Sequence, residues 1–188
     1  MSSHMPPNPN DVISFEGASL SQICLAGGCF WGTEAFVERI FGVESTEVGY
    51  ANGTTQNPTY KEVCTGKTRH TEAVLVRYDA SILPLERLLE AFFTTIDPTS
   101  LNKQGGDIGT QYRTGIYYQD QSMRPVIDDF ISSQSPNYSS KIVVEVLRLE
   151  SFYKAEDYHQ KYLAKNPGGY CHVDLGTCHL WGRTSRAD

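Results

Sequence analysis

The sequence predicts an α+β fold, in which a sheet carries helices on a face. Two observations lead to this prediction. Apolar segments with the alternation of strands occur along most of the chain, and segments with the apolar spacing of helices lie between them. Their order is strand, helix, strand, strand, helix, strand, helix, strand. The length of 188 residues suits one domain with a substantial core, or at most two small ones.

The first half of the chain contains the clearest strand, which runs from His70 to Tyr78. Its alternation places Glu72 on the same face as two valines. Earlier in the chain, Gly27-Gly28 separates the first strand from a helix, and Asn52-Gly53 marks a turn. The predicted elements are an extended arm over 6–18, a strand over 21–26, a helix over 29–41, a strand over 43–51, one or two helical turns over 57–66 and the strand over 70–78.

The second half alternates helices and strands around one long loop. A helix begins at Pro84 and ends at Asp97-Pro98, because the residue before a proline disfavours helical geometry. The glycine-rich segment 101–112 is predicted to be a functional loop, since long ordered loops are seldom mere connectors. The remaining elements are a strand over 114–118, a helix over 122–132, a strand over 142–149, a polar helix over 152–165 and a C-terminal coil over 170–188.

Charge and cysteine content argue against several classes of function. Lysine and arginine total 16 against 22 acidic residues, which gives a net charge of −6. Without a basic block, this balance argues against nucleic acid or an anionic membrane as the main partner. No run of about 18 apolar residues exists, so no transmembrane helix is expected. Five unevenly spread cysteines without a secretion signal indicate a reducing compartment, and we expect a cytoplasmic protein.

Cys29 lies in the stretch Gly27-Gly28-Cys29-Phe30-Trp31-Gly32, between the first strand and the first helix. A cysteine at a helix N-terminus faces free N–H groups that favour an anion, so we expect its pKa to lie below that of a free thiol. Glycines on both sides allow the backbone to approach a bound molecule closely. The alternative is a small buried cysteine at a tight turn.

Glu72 is a candidate general acid. A carboxyl group on an apolar strand face loses solvation, which raises its pKa and keeps it protonated near neutral pH. A neutral carboxylic acid can then donate a proton. The alternative, which has equal weight at this point, is a strand-edge glutamate that faces solvent or pairs with Arg69 or Arg77.

Two tyrosines and an aspartate lie in segments that turn residues mark as loops. The hydroxyl groups of Tyr60 and Tyr112 could donate hydrogen bonds to an oxygen of a substrate, although ordinary packing is an open alternative. Asp107 has glycines nearby on both sides, as expected of an acid that orders a loop or contacts a substrate. It could equally be an ordinary turn residue.

The C-terminal segment contains the pairs Cys171-His172 and Cys178-His179. These four side chains could be zinc ligands, but the spacing lacks the two-residue gap of a zinc knuckle. Alternatively, a cysteine on a mobile tail could form a disulfide with an oxidised Cys29, the usual arrangement for reversible thiol oxidation.

These features together resemble the type A peptide methionine sulfoxide reductases. The stretch Gly28-Cys29-Phe30-Trp31-Gly32 is similar to the signature of that family, and the resemblance extends over about residues 21–175. Arg69 departs from the family pattern, which commonly has glycine there, and Cys178 is an additional cysteine. The other matching motifs are Asn57-Pro58-Thr59-Tyr60, Val63-Cys64-Thr65-Gly66, His70-Thr71-Glu72-Ala73-Val74, the segment from Gln104 to Arg113, and the segment from Asn166 to Cys171.

The resemblance implies that the protein reduces the S epimer of methionine sulfoxide, free or in peptides and proteins. Cys29 would be the nucleophile, Glu72 the proton donor, and Cys171 the resolving thiol. The other implied roles are a methyl-binding box of Phe30 and Trp31, hydrogen bonds from Tyr60 and Tyr112 to the sulfoxide oxygen, and ordering of the site by Asp107. Cys178 would be a possible second recycling thiol.

The resemblance also implies the fold and the partners. The expected fold is a two-layer α+β sandwich with a ferredoxin-like mixed sheet core, helices packed on it and a long C-terminal coil. Thioredoxin would be the reductant, no metal or organic cofactor would be needed, and we expect a monomer. We divide the chain into an N-terminal arm, residues 1–18, and one catalytic domain, residues 19–188. Met1–Met5 could be a cloning remnant.

Two other functions remain open from the sequence. A cysteine peroxidase would use the same thiolate, although a small polar peroxide does not need an aromatic box. A zinc-stabilised binding module would use the two C-terminal Cys-His pairs.

Overall fold

The computed structural model describes residues 5–183, in which helices pack on a six-stranded mixed sheet. The predicted α+β class is confirmed. The strands are β1 (Leu20–Ala26), β2 (Val43–Ala51), β3 (Thr71–Asp79), β4 (Lys103–Gln104), β5 (Asp107–Ile108), β6 (Gly115–Tyr118), β7 (Glu145–Arg148) and β8 (Phe152–Lys154). The α-helices are α1 (Phe30–Val37), α2 (Tyr60–Cys64), α3 (Leu85–Phe93), α4 (Met123–Gln134) and α5 (Tyr162–Lys165).

The six-stranded sheet has the order β7-β6-β1-β3-β2-β8, and β4 pairs with β5 in a separate two-stranded sheet. Neighbouring strands of the large sheet are antiparallel, apart from the parallel pair β6 and β7. The ferredoxin-like arrangement stays a prediction. In this order β1 and β3 are central. Because they are antiparallel, the end of β1 lies beside the start of β3, and Cys29 and Glu72 lie at the same end of these two strands.

The two faces of the sheet pack differently. One face carries the main core, in which Val74, Val76 and Tyr78 of β3 pack with residues of α1, α3 and α4. The other face is lined by small side chains and one buried aromatic residue, Tyr117. This difference follows from strand alternation, because consecutive side chains of a strand point to opposite faces.

The predicted polar helix over 152–165 is wrong. The segment begins as strand β8, continues through a short 3₁₀ turn at Asp157–His159, and contains a helix only over Tyr162–Lys165. The side chain of Gln160 accepts a hydrogen bond from the N–H of Val48 and donates one to its carbonyl oxygen. Side-chain bonds to the backbone of β2 therefore replace the internal bonds of a helix here.

The predicted bounds are too wide elsewhere in the chain. The helix expected over 29–41 ends at Val37, and the strand expected over 142–149 covers only Glu145–Arg148. The coil expected over 170–188 contains a 3₁₀ helix at Leu175–Trp181, which is fixed to the domain by a hydrogen bond from the Phe41 N–H to the Trp181 carbonyl oxygen, at 2.9 Å.

The N-terminal arm is held on the domain by Asn10. Its amide nitrogen donates hydrogen bonds to the carbonyl oxygens of Glu38 and Ile40, and its amide oxygen accepts one from the N–H of Gly42. Met1–His4 of the proposed cloning remnant, and the last five residues of the predicted coil, lie outside the described residues. Within residues 5–183, no helix is both long and apolar enough to cross a membrane.

Candidate active site

Cys29 lies in the turn between β1 and α1, where it is the N-cap residue of α1. Its exposed fraction is only 7%. The turn requires glycine at position 28, where φ is +83° and a Cβ atom would lie 2.7 Å from the Cβ of Gln104. The loop that carries β4 therefore packs directly against the backbone beside the thiol.

The expectation that Cys29 is more acidic than a free thiol is wrong for this site. Burial is the largest cause and raises its pKa, and the carboxyl groups of Glu72 and Asp107 raise the pKa further. The N–H groups of Trp31 and Gly32 at the start of α1 lower it, as expected, but they do not outweigh desolvation. Cys29 is therefore a protonated thiol at neutral pH until something lowers its pKa.

Glu72 lies near the start of β3, with an exposed fraction of 1%. Its carboxyl oxygen Oε2 accepts a hydrogen bond from the N–H of Phe30 at 3.1 Å, rather than bonds from Arg69 or Arg77. Burial raises its pKa to about 8, and the charge of Asp107 acts in the same direction. As predicted from the strand face, this carboxyl group is buried and keeps its proton near neutral pH.

Arg69 precedes β3 with a φ of +58°, in the left-handed region that favours glycine. This backbone geometry explains why glycine suits that position, at which the sequence departs from the family pattern. The guanidinium of Arg113 donates a hydrogen bond to the carbonyl oxygen of Arg69 at 3.0 Å.

Tyr60 and Tyr112 are brought to the neighbourhood of Glu72 by different elements. Tyr60 is the first residue of α2, which is fixed by a capping box between Thr59 and Glu62. Tyr112 ends a 3₁₀ turn that follows β5. Burial raises the pKa of both phenols, a hydrogen bond with the side chain of Cys64 raises that of Tyr60 further, and the carboxyl group of Glu72 acts on both in the same direction. Both hydroxyl groups are therefore protonated, and that of Tyr60 is bonded to Cys64 in this structure.

Asp107, at the start of β5, acts electrostatically on the thiol and acid described above. Its Oδ2 accepts a hydrogen bond from the hydroxyl group of Tyr170 at 3.0 Å. This bond joins the glycine-rich loop to the C-terminal segment one residue before Cys171.

Trp31 forms a partly exposed wall beside Cys29, whereas Phe30 is buried, with an exposed fraction of 1%. The indole ring of Trp31 stacks on Tyr162, with ring centroids 3.7 Å apart and an angle of 12°. Its Nε1 donates a hydrogen bond to Nδ1 of His159 at 3.0 Å. Stacking and this bond fix the orientation of the indole, so the wall is preorganised.

His159, which accepts the hydrogen bond from Trp31, has a defined protonation state. It is buried, and burial lowers its pKa below the usual range, so the imidazole is neutral at neutral pH. Because Nδ1 accepts the bond from Trp31, the proton lies on Nε2. The ring packs between Phe30 and Tyr60, at centroid distances of 5.1 and 4.5 Å.

Sequence reasoning missed several residues of this site. Glu156 accepts hydrogen bonds from the hydroxyl group of Tyr50 and the N–H of Tyr60, at 2.7 and 3.0 Å. The signal was the density of acidic, aromatic and imidazole side chains around positions 156–162, to which the predicted polar helix gave no role. The missed residues are Glu156, His159, Tyr162 and Tyr170, whereas His172 was considered only as a zinc ligand.

Cys171 lies against the first turn of α1. A Cβ atom on Gly32 would be 3.1 Å from the sulfur of Cys171, and Gly32 is three residues from Cys29 in the same turn. All five cysteines lie in the described part of the chain and are free thiols. The Cys171 sulfur therefore packs against the first turn of α1, which begins after Cys29.

Cys178 has a different environment. It belongs to the main core, with an exposed fraction of 4%, and burial raises its pKa to about 11. The neighbouring histidines have their own partners, since His172 bonds to the carbonyl oxygen of Gly27 and His179 to that of Gly176. Among residues 5–183, no group of three or more His, Cys, Asp or Glu side chains is arranged to hold a metal ion.

The arrangement is suited to nucleophilic attack by sulfur on an atom that carries a basic oxygen. A thiol, a neutral carboxylic acid and two phenols lie together beside an aromatic wall, and a second thiol packs on the first turn of α1.

Comparisons with known proteins agree with this chemistry. A family model described as peptide methionine sulfoxide reductase matches residues 21–183. A peptide methionine sulfoxide reductase MsrA from Clostridium perfringens is 59% identical over 159 residues, which are 83% of this chain and 99% of the relative. Among solved structures, Mxr1 from Saccharomyces cerevisiae in reduced form matches with a TM-score of 0.80 and 36% identity, over 87% of this chain and 96% of Mxr1. Mxr1 in complex with Trx2 matches with a TM-score of 0.57 and 25% identity, over 80% and 90% of the two chains.

Proposed function

The chain belongs to the peptide methionine sulfoxide reductase family, as an enzyme of the MsrA type, and from this premise we propose that it acts on the S epimer of methionine sulfoxide through Cys29 and Glu72. The observation that carries the proposal is the buried carboxyl group of Glu72. It accepts a hydrogen bond from the N–H of Phe30, the residue that follows Cys29, and its pKa of about 8 keeps it protonated at neutral pH. The choice of epimer rests on the family resemblance.

In the first step, the sulfur of Cys29 attacks the sulfur of the substrate while Glu72 gives its proton to the sulfoxide oxygen. The thiol proton of Cys29 replaces the proton that Glu72 loses. Glu72 passes this proton on as well, so the sulfur–oxygen bond of the substrate breaks, the oxygen leaves as water, and the two sulfur atoms stay joined. Water then adds to the sulfur of Cys29 and gives a proton back to Glu72, the bond between the two sulfur atoms breaks, and methionine leaves a sulfenic acid on Cys29. Two electrons pass from the cysteine sulfur to the methionine sulfur. Since the carboxyl group regains a proton, it is ready for the next step.

The aromatic wall and the phenols orient the substrate in this step. The methyl group of methionine sulfoxide packs against Trp31, whose orientation is fixed by Tyr162 and His159. Tyr60 and Tyr112 donate hydrogen bonds to the sulfoxide oxygen, which becomes more basic as the sulfur is attacked. Asp107 accepts a hydrogen bond from the hydroxyl group of Tyr170, and this bond orders the loop that carries Asp107.

Recycling then uses a disulfide. Cys171 attacks the sulfenic acid on Cys29, and the resulting disulfide is reduced by exchange with the dithiol of a thioredoxin. The position of the Cys171 sulfur against Gly32 supports this pairing. The solved complex of Mxr1 with Trx2 supports a thioredoxin as the partner.

The decisive experiment is turnover of the two separated epimers of methionine sulfoxide with dithiothreitol as reductant. We expect reduction of the S epimer only, and its complete loss in Cys29→Ser. Cys24→Ala is the matched control, because Cys24 lies on the other face of the sheet. Reduction of the R epimer, or S-epimer activity that survives Cys29→Ser, would contradict the proposal.

A further inference from the structure

His172 packs over the glycine turn that precedes Cys29. Its Nε2 lies 2.9 Å from the carbonyl oxygen of Gly27. A carbonyl oxygen only accepts hydrogen bonds, so Nε2 carries the proton of the ring. Burial lowers the pKa of His172 below its usual range, and the imidazole is neutral at neutral pH. Nδ1 is therefore a free lone pair.

This lone pair is buried, and within the part of the chain that the structure describes it has no hydrogen-bond donor. Leaving a buried acceptor unpaired costs free energy, so an orphaned nitrogen of this kind calls for an explanation. Nδ1 faces α1, because a Cβ atom on Gly32 would lie 3.3 Å from it. The same point is 3.1 Å from the sulfur of Cys171. The two atoms are thus neighbours against the first turn of α1.

Cys171 needs such a neighbour. Burial raises the pKa of its thiol, so at neutral pH it carries a proton that must leave when its sulfur attacks. In the reduced structure the thiol donates to the carbonyl oxygen of Val173 at 3.1 Å, but a carbonyl oxygen is too weak a base to remove the proton.

We propose that His172 is a further catalytic residue, whose Nδ1 takes the proton of the Cys171 thiol during disulfide formation. This inference rests on the proposed function, since it needs the sulfenic acid on Cys29. As the thiol turns from Val173 towards Cys29, its hydrogen atom turns towards the lone pair of Nδ1. The bond between His172 and Gly27 holds the ring in place on the turn that carries Cys29.

The step balances in atoms and electrons. The sulfur of Cys171 forms a bond to the sulfur of Cys29, and the bond from that sulfur to its hydroxyl oxygen breaks. The thiol proton passes to His172, and the departing hydroxide takes a proton from Glu72 to become water. Cys171 is oxidised, the sulfenic sulfur is reduced, and the imidazolium then returns its proton to Glu72 through solvent.

The surroundings of His172 determine how this base responds to pH. The carboxyl group of Asp107 on β5 favours the imidazolium, whereas burial opposes it. The glycine turn contributes the carbonyl oxygen of Gly27, and the loop between β4 and β5 contributes the backbone at Gly105, where a Cβ atom would lie 3.4 Å from the Cβ of His172. The thiol of Cys171 lies beside the ring at Gly32, and the hydroxyl group of Tyr170, which donates to Asp107, lies beside it at Gly105.

The test uses two substitutions that each keep one half of the imidazole. His172→Gln retains an N–H donor that reaches Gly27, but removes the acceptor at Nδ1. His172→Asn retains an acceptor near the position of Nδ1, but removes the donor to Gly27. Neither amide can take a proton. In a single turnover with the S epimer, the methionine released reports the first step, and the loss of two thiols reports disulfide formation.

We expect both variants to release one equivalent of methionine, and the rate of this release in each variant is the reference for its rate of disulfide formation. Disulfide formation should be slower by about 10²-fold in both, within the usual range for general base catalysis. The wild-type rate of disulfide formation should be level near neutral pH, where the imidazole is already neutral. In the variants it should rise about tenfold per pH unit, because only the Cys171 thiolate can then attack.

The outcomes separate this inference from the proposed function. A normal rate of disulfide formation in His172→Gln would overturn the role of His172 as a base, and would leave only the bond to Gly27. A normal rate in His172→Asn would show that an acceptor without basicity suffices, which also overturns it. Failure of the wild-type protein to release methionine would instead contradict the proposed function.

Discussion

Cys29 and Glu72 are both less acidic in the folded protein than in water, because burial removes the solvent that stabilises their charged forms. For Glu72 this makes a proton donor at neutral pH. For Cys29 it opposes the formation of the nucleophile, and the charge of an ionised Glu72 would oppose it further. In the mechanism that we propose, the two groups work as a pair: a protonated Glu72 removes the repulsion, and its proton transfer to the substrate allows the thiol proton to follow. On this proposal the nucleophile is activated by the substrate rather than in the resting enzyme.

Glu72→Gln tests the proton transfer. Glutamine keeps the volume and can donate a hydrogen bond to the sulfoxide oxygen, but it cannot transfer a proton. We expect formation of the sulfenic acid to slow by about 10²–10⁴-fold, as measured by methionine release in a single turnover. In the wild-type protein this rate should fall above about pH 8, as Glu72 loses its proton. An unchanged rate in the variant, or a level wild-type profile up to pH 9.5, would assign the acid elsewhere.

The same carboxyl group affects stability in a defined pH window. Its pKa rises from 4.5 to about 8 on folding, so the folded state binds the proton more tightly than the unfolded state. Between these values the free energy of unfolding falls as pH rises, by at most about 1.4 kcal/mol per pH unit. Glu72→Gln removes this dependence. We expect the difference in stability, variant minus wild type, to grow from pH 5 to pH 8 in urea denaturation, and a constant difference would argue against a buried, protonated carboxyl group.

At the scale of elements, the site lies where the end of β1 is beside the start of β3, at one end of the two central strands. The first turn of α1 is the element on which both sulfur atoms converge, because Cys29 is its N-cap and Cys171 packs on Gly32. A side chain at position 32 would occupy the space that Cys171 and His172 now share. Glycine is thus favoured there by packing rather than by backbone conformation.

Gly32→Ala should separate the two chemical steps. The new methyl group would lie 3.1 Å from the Cys171 sulfur and 3.3 Å from Nδ1 of His172, so both must shift by a few tenths of an ångström. We expect disulfide formation to slow several-fold, whereas methionine release should stay within about twofold because the N–H of residue 32 is retained. Gly168→Ala is the matched control, since a Cβ there has nothing within 4 Å in the described structure. Equal effects on both steps would indicate general disorder of α1.

The elements that sequence periodicity predicted are those whose own pattern determines them. Strand β3 alternates clearly, and that alternation places Glu72 on the face of Val74 and Val76, although a solvent-facing glutamate had equal weight until the structure showed it buried. The segment over 152–165 could not be predicted in this way, because Glu156, His159 and Gln160 bond to β2, α2 and Trp31, which are distant in sequence. The pKa of Cys29 was also missed. Helix capping is visible in a sequence, whereas the depth of burial at the helix end depends on the loops packed over it.

At the scale of the whole molecule, the segments around Asn10 and Trp181 are fixed on the domain. Asn10 binds the backbone at the end of α1, and the Trp181 carbonyl oxygen accepts the N–H of Phe41 nearby. The guanidinium of Arg87 on α3 lies 5.2 Å from the centroid of the Trp181 ring. These contacts hold the 3₁₀ helix that contains Cys178 in the core. The hypothesis that Cys178 is a second recycling thiol stays a prediction, and it would require this helix to detach.

The positions of the two C-terminal cysteines lead to opposite predictions for their variants. Cys171→Ser should abolish turnover with thioredoxin and spare the single release of methionine, since Cys29 then has no partner thiol beside it. Cys178→Ser should retain turnover with thioredoxin within about twofold, because Cys178 is buried and its pKa of about 11 leaves little thiolate for exchange. Both rates are measured as oxidation of NADPH through thioredoxin reductase. If Cys178→Ser loses this turnover while it still forms a disulfide with one equivalent of substrate, then the C-terminal helix must detach from the core in every cycle, and Cys178 passes the electrons on.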